Sequence, residues 1–146
     1  MSYDVAIAAV IMKDKKCLVI KRSPEKKRFP NLWTIPGGKL EPADYENLPR
    51  TTEHYWYRIL ERTLEREVKE EVNLTIKNVT YLTSMVSNHE GNHLVISCLA
   101  DYADGIITLD QREAVDFKWI DMEEASGIDL IDGIYEEIIL AFQSKL

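Results

Sequence analysis

The sequence predicts an α+β fold, an αβα sandwich in which a mixed β-sheet is packed between helices, and three observations point to it. Apolar runs of strand length lie before and after one central segment of helical period, and a second helical pattern closes the chain. No internal repeat, low-complexity tract or Pro/Gly/Ser linker divides the 146 residues, so residues 1–146 read as a single domain. A hydrophobic fraction of 45% beside 29% charged residues is the balance of a soluble globular chain. At this length folding buries roughly 68–70% of the unfolded chain's surface, so the core needs neither disulfides nor a structural metal.

The elements follow in order. Val5–Met12 and Cys17–Lys21 are apolar runs around a polar turn, which predicts a strand hairpin. A loop rich in charge and proline, Arg22–Pro30, leads to a short strand at Leu32–Ile35, which Pro36-Gly37-Gly38 is expected to stop. From Thr52 to Val72 the pattern is helical, with Leu60, Leu64 and Val68 recurring every four residues. Thr51 or Thr52 is the expected N-cap. Asn73 stands at the exit, where its tolerance of the left-handed conformation suits a helix end. Strands are expected at Ile76–Ser87 and His93–Ala103, joined by Asn88-His89-Glu90-Gly91-Asn92, and again at Asp116–Ile120. A final helix spans about Ile131–Ser144, with Ile134, Ile138 and Ile139 in the core.

Composition limits what the chain does. A net charge of −7 argues against general binding of nucleic-acid backbone, and no stretch is long and apolar enough to span a bilayer. The average hides an asymmetry: nine basic residues and two acids lie between Lys13 and Lys39, a balance of +7 that leaves −14 elsewhere. Cys17 and Cys98 sit in apolar runs without metal or redox spacing and read as buried thiols of a reducing compartment. Val5–Met12 lacks a cationic leader and cleavage site, so the expected location is the cytosol.

Arg66-Glu67-Val68-Lys69-Glu70-Glu71-Val72 carries the chemistry. At 100° per residue Glu70 and Glu71 lie about −60° and +40° from Glu67, so three carboxylates share a helix face. Leu60, Leu64, Glu67 and Glu71 follow at steps of four, three and four, the spacing of a buried stripe. A solvated charged helix is the ordinary reading of such a segment. Carboxylates that continue an apolar stripe fit it poorly, because burying them is costly unless a cation cancels their charge. Convergent carboxylate oxygens suit Mg²⁺ or Mn²⁺. Pro36-Gly37-Gly38-Lys39 adds a backbone that can be approached closely.

Together these features resemble the Nudix hydrolase family, whose signature is G-x5-E-x7-R-E-U-x-E-E-x-G-U, with U a bulky aliphatic residue. Gly38 opens the motif, Asp44 falls on its first acidic position, and Arg66 to Leu74 supply its second half. Trp33 to Gly38 looks like the family's approach to the motif, and Glu113 to Ile120 like its downstream acidic and tryptophan segment. Three departures accompany the match: Asp44 replaces glutamate, Asn73 replaces glycine, and 21 residues separate Asp44 from Arg66 instead of seven, an insertion at about 45–58.

The resemblance implies hydrolysis of a nucleoside diphosphate linked to another group, most simply a nucleoside triphosphate or related nucleotide, by water attack on the pyrophosphate bridge. Glu67, Glu70 and Glu71 with the Gly38 carbonyl would hold Mg²⁺, with Mn²⁺ as the other candidate. Glu67 or Glu113 would take the proton, and Arg66 would brace the acids. Arg22, Arg28 and Lys39 are candidates to face the phosphates of a small-molecule nucleotide. Tyr55 and Trp56 are candidates to stack on its base, although such a cluster more often packs an inserted segment onto its domain. His89 and His93 read as turn residues rather than a zinc pair. A monomer or homodimer is expected, with neither nucleic acid nor membrane as partner. The reading from another class is a non-catalytic module of the same fold that binds a nucleotide or a protein.

Overall fold

The computed structural model describes residues 1–145. Its first strands, β1 (Asp4–Lys13) and β2 (Lys16–Arg22), form the expected hairpin. Asp14 and Lys15 both take positive φ, as a two-residue turn matched to strand twist requires. The two strands pair only at their closed end, Met12 opposite Cys17 and Lys13 opposite Lys16, and then part. The following segment fills the wedge: β3 (Trp33–Thr34) pairs with β2, and β4 (Gly37–Lys39) pairs antiparallel with β1. The glycines thus form a strand of their own instead of only ending one.

Helix α1 (Ile59–Val72) is followed by β5 (Thr75–Ser87), β6 (His93–Asp104) and β7 (Ala114–Ile120). β6 runs parallel to β1 from Asp4 opposite His93 to Met12 opposite Asp101, β5 lies outside β6, and β7 pairs with β2. A short α2 (Met122–Ala125) and a final α3 (Ile134–Ser144) complete the chain. α2 was not anticipated. Its signal is local, an Asp121 side chain that accepts from the Glu124 amide while Glu124 reaches back.

Alternation along the central strands divides the core between the two faces of this mixed sheet. Ile7, Ala9 and Ile11 face α1 with Leu64, Val68 and Val72, whereas Val10, Met12 and Leu99 face α3 with Ile134, Ile138 and Ala141. Cys17 and Cys98 are buried free thiols, and burial pushes Cys17 up to about 12. No described helix is long and apolar enough to cross a membrane.

α1 begins seven residues later than its period suggests. Thr51 and Thr52 do not cap it, because their hydroxyls accept from the Tyr57 and Tyr55 amides in a turn of the inserted segment. Arg58, in the left-handed conformation, starts the helix instead. At the far end Asn73 has φ 62°, as expected, and its amide bonds the Lys69 carbonyl.

Candidate active site

The C-terminal half of α1 faces the wedge between β1 and β2, so its acids meet the backbone of β4. A Cβ added at Gly38 would fall inside the Glu67 carboxylate, which places that side chain directly against the glycine. Glu71 is 9% exposed. Burial and the neighbouring Glu67 and Glu113 carboxylates push its carboxyl up to about 8, with the Gly37 amide and Arg22 pulling the other way. Burial also raises Glu67, opposed by Arg66. Arg22, the last residue of β2, is lowered by burial while Glu113 and Glu71 favour its charge. Glu67, Glu71, Glu113 and Arg22 therefore act on one another across the wedge, although 45 residues separate Glu67 from Glu113.

Asp44 lies in a single 3-10 turn, Pro42–Asp44, and its side chain is 2% exposed. Arg66 forks onto it, Nε to Oδ1 and Nη2 to Oδ2 at 3.1 Å, while Thr63 Oγ1 donates at 3.2 Å and the Glu41 amide at 2.8 Å. Burial alone would raise this carboxyl, but these donors outweigh it and hold it below the usual range. The same guanidinium lies 3.0 Å from Glu67 Oε1 and 3.0 Å from Glu70 Oε2. The shorter aspartate thus reaches Arg66 despite the 21 intervening residues.

The basic residues divide. Arg22 Nε donates to the Arg28 carbonyl at 3.0 Å and so fixes the loop after β2. Arg28 reaches His93 Nε2 at 3.4 Å, and its Nε lies 3.3 Å from Glu90 without the alignment of a hydrogen bond. Lys39 pairs with Asp4 at 3.0 Å, which in turn lies 3.7 Å from His93. His93 opens β6 and is half-buried in this network, while His89 stays exposed in the turn. Lys26, which the sequence reading did not single out, grips Glu113 at 2.7 Å.

The described contacts of Tyr55 and Trp56 stay within the inserted segment. Trp56 donates to the Leu48 carbonyl at 2.8 Å, its ring lies 5.1 Å from that of Tyr45, and the Arg50 guanidinium sits over it. Tyr55 is exposed, its ring edge-on to His54.

The donor set suits a hard divalent cation: carboxylates on one helix face, one of them buried beside others of like charge, and a glycine where a side chain would displace Glu67. Among the described residues no three acidic, His or Cys side chains are already gathered tightly enough to enclose an ion. Arg66 instead engages Glu67 and Glu70.

The NUDIX domain family model matches residues 2–142. Among curated proteins, an NAD-capped RNA hydrolase NudC of Erwinia tasmaniensis is 40% identical over 60 residues, 41% of this chain and 23% of the relative. The protein of that name from Vibrio atlanticus is 25% identical over 133 residues, 91% of this chain and 43% of the relative. The chain thus spans less than half the length of these relatives. Among solved structures, the NUDIX domain of Shewanella oneidensis NrtR, complexed with ADP ribose, superposes with a TM-score of 0.78 at 19% identity, covering 100% of this chain and 90% of that one. That likeness is one of fold.

Proposed function

The chain belongs to the Nudix family, and from that premise we propose that it is a pyrophosphohydrolase that cleaves a nucleoside diphosphate linked to another group, a nucleoside triphosphate or related nucleotide first among them. The observation that carries this reading is the meeting of Glu67, Glu71 and Glu113 with Arg22 against the side-chain-free backbone of Gly38.

Bound by Glu67, Glu70, Glu71 and the Gly38 carbonyl, Mg²⁺, or Mn²⁺ in its place, would neutralise bridge oxygens and make a water more acidic. The protein's own groups do the rest. Arg66 holds α1 to the loop through Asp44 and keeps the acids in register. Lys26 grips Glu113 at the mouth of the wedge, and either Glu113 or Glu67 takes the proton from the attacking water. Arg22, Arg28 and Lys39 set a positive field beside the acids, which draws a polyanion toward an otherwise negative protein.

The curated relatives' name adds NAD-type pyrophosphates and NAD-capped RNA as candidate substrates, and the NrtR complex adds ADP-ribose. The experiment is a panel of nucleoside triphosphates, NAD, capped RNA and ADP-ribose with and without Mg²⁺, run beside Glu71→Gln. Turnover that needs the cation and is lost in Glu71→Gln is expected. Binding without turnover on the whole panel would instead favour the non-catalytic module, and turnover indifferent to the substitution would defeat the assignment of Glu71. Glu67→Gln and Glu113→Gln, compared by the pH dependence of kcat, separate the two candidate bases.

A further inference from the structure

The turn between β5 and β6 is tied to both sides of the acidic wedge. On one side Arg22, whose charge Glu113 and Glu71 favour, donates through Nε to the Arg28 carbonyl at 3.0 Å. The Arg28 side chain then reaches the turn, with Nη1 3.4 Å from His93 Nε2 and Nε 3.3 Å from Glu90 Oε2. On the other side Lys39, next to Gly38, pairs at 3.0 Å with Asp4 Oδ2, which lies 3.7 Å from His93 Nδ1. The parallel register fixes Asp4 opposite His93. His93, with a side chain only 14% exposed, is where the two lines of contact meet.

His93 Nε2 lies between a donor, Arg28 Nη1, and an acceptor, the Glu90 carbonyl at 3.0 Å. A neutral imidazole has one N–H and one lone pair, so this nitrogen satisfies one neighbour and not both. The charges around the ring decide which. With the proton on Nδ1, the N–H faces the Asp4 carboxylate and the lone pair faces the Arg28 guanidinium; with the proton on Nε2, both charged groups meet the wrong end of the ring. Hydrogen bonds to charged groups are roughly twice as strong as neutral ones. Glu90 is exposed, so water replaces the ring at its carbonyl. The anchor matters because Arg28 carries the same charge as Arg22 and opposes it. The loop between them is closed at its base by the Arg22 amide on Leu32 and the Asn31 amide on Arg22, and Lys26 on Glu113 and Arg28 on the turn fasten its far part. We propose that His93 is a positioning residue of the reaction: held as the Nδ1–H tautomer by Asp4, it accepts from Arg28 and keeps the Arg28 carbonyl where it orients Arg22 beside the acids. The inference rests on the proposed reaction, in which Arg22 faces the substrate's phosphates, and His93 acts through Arg28.

The test uses wild type, His93→Leu, His93→Gln, Arg28→Leu and the double variant of His93→Leu with Arg28→Leu. Imidazole ¹H–¹⁵N spectra at about pH 8 read the tautomer without turnover. Wild type is expected to show Nδ1–H, and Arg28→Leu to turn the ring to Nε2–H on the Glu90 carbonyl, a readout that serves if His93→Leu does not fold. Calorimetry with Mg²⁺ and methylenediphosphonate, a pyrophosphate analogue whose bridge water does not cleave, gives Kd, and the substrate found in the panel gives KM and kcat. His93→Leu is expected to raise Kd and KM about fivefold, the worth of one net hydrogen bond, with kcat within twofold. His93→Gln, whose Oε1 accepts from Arg28 in place of Nε2, is expected to stay within twofold of wild type. The double variant is expected to lose no more than Arg28→Leu alone, because both changes remove the same contact. An Nε2–H tautomer in wild type, a Gln variant as impaired as the Leu variant, unchanged Kd in folded His93→Leu, or losses that multiply in the double variant would overturn the inference. Diphosphonate binding that depends on His93 in this way without turnover of any pyrophosphate would refute the reaction and leave the positioning role standing.

Discussion

Asp44→Asn isolates the brace between loop and helix. The substitution keeps the shape and an acceptor for Thr63 and the Glu41 amide, and removes the charge that Arg66 engages through two nitrogens. A hydrogen bond to a buried charged group contributes about 1.5–3 kcal/mol. The Asp44 side chain is 2% exposed but Arg66 is 33% exposed, and it retains Glu67 and Glu70, so solvent and the other acids recover part of that. We therefore expect a loss of about 1.5–2 kcal/mol, which for a chain of this size lowers Tm by about 5 °C. The assay is thermal unfolding of both proteins from pH 8 to pH 2.5. Because the folded Asp44 carboxyl sits below its unfolded value of about 3.9, its contribution is complete well above that value and fades as pH falls through it. The gap between the two proteins is expected to stay constant from pH 8 to about 5 and to close toward pH 3. A gap under 1 °C at pH 7, or one that widens in acid, would refute the reasoning.

The other expectations concern the acids and their surroundings. Mg²⁺ or Mn²⁺ at ten times its Kd adds RT ln 11, about 1.4 kcal/mol, so calorimetry of metal-free protein should show Tm rising by about 4 °C, with no rise in Glu71→Gln. Gly38→Ala sets a methyl where the end of the flexible Glu67 side chain now lies; kcat is expected to fall at least tenfold with a small change in Tm, and near-wild-type kinetics would contradict the contact. Lys39→Glu, at an exposed position that pairs with Asp4 alone among the described residues, is expected to raise KM for an anionic substrate severalfold at low salt, an effect that should vanish near 0.5 M salt.

The central strands were legible because their apolar runs and their turn residues agree, and Asn73 ended its helix for the reason its side chain suggests. The start of α1 was not, since helical period cannot distinguish residues 52–58 from a loop whose threonines satisfy the backbone of that loop instead. β4 was hidden for a related reason: three residues with two glycines have no strand signature, and only the parting of β1 from β2 makes room for them. The acids of α1 could be read as a group because they interrupt an apolar stripe. Lys26 on Glu113 needed the fold, since the two are 87 residues apart.

The fork of Arg66 on Asp44 has a consequence for how this chain can vary. It fixes the two ends of the segment between them, so the site does not depend on that segment's own conformation. Lengthening a closed loop from 7 to 21 residues costs only about 1 kcal/mol of closure entropy. Behind such a clasp, residues 45–58 are a cassette whose sequence and length can drift, be replaced by a reporter peptide, or acquire contacts of their own while the catalytic frame stays in place.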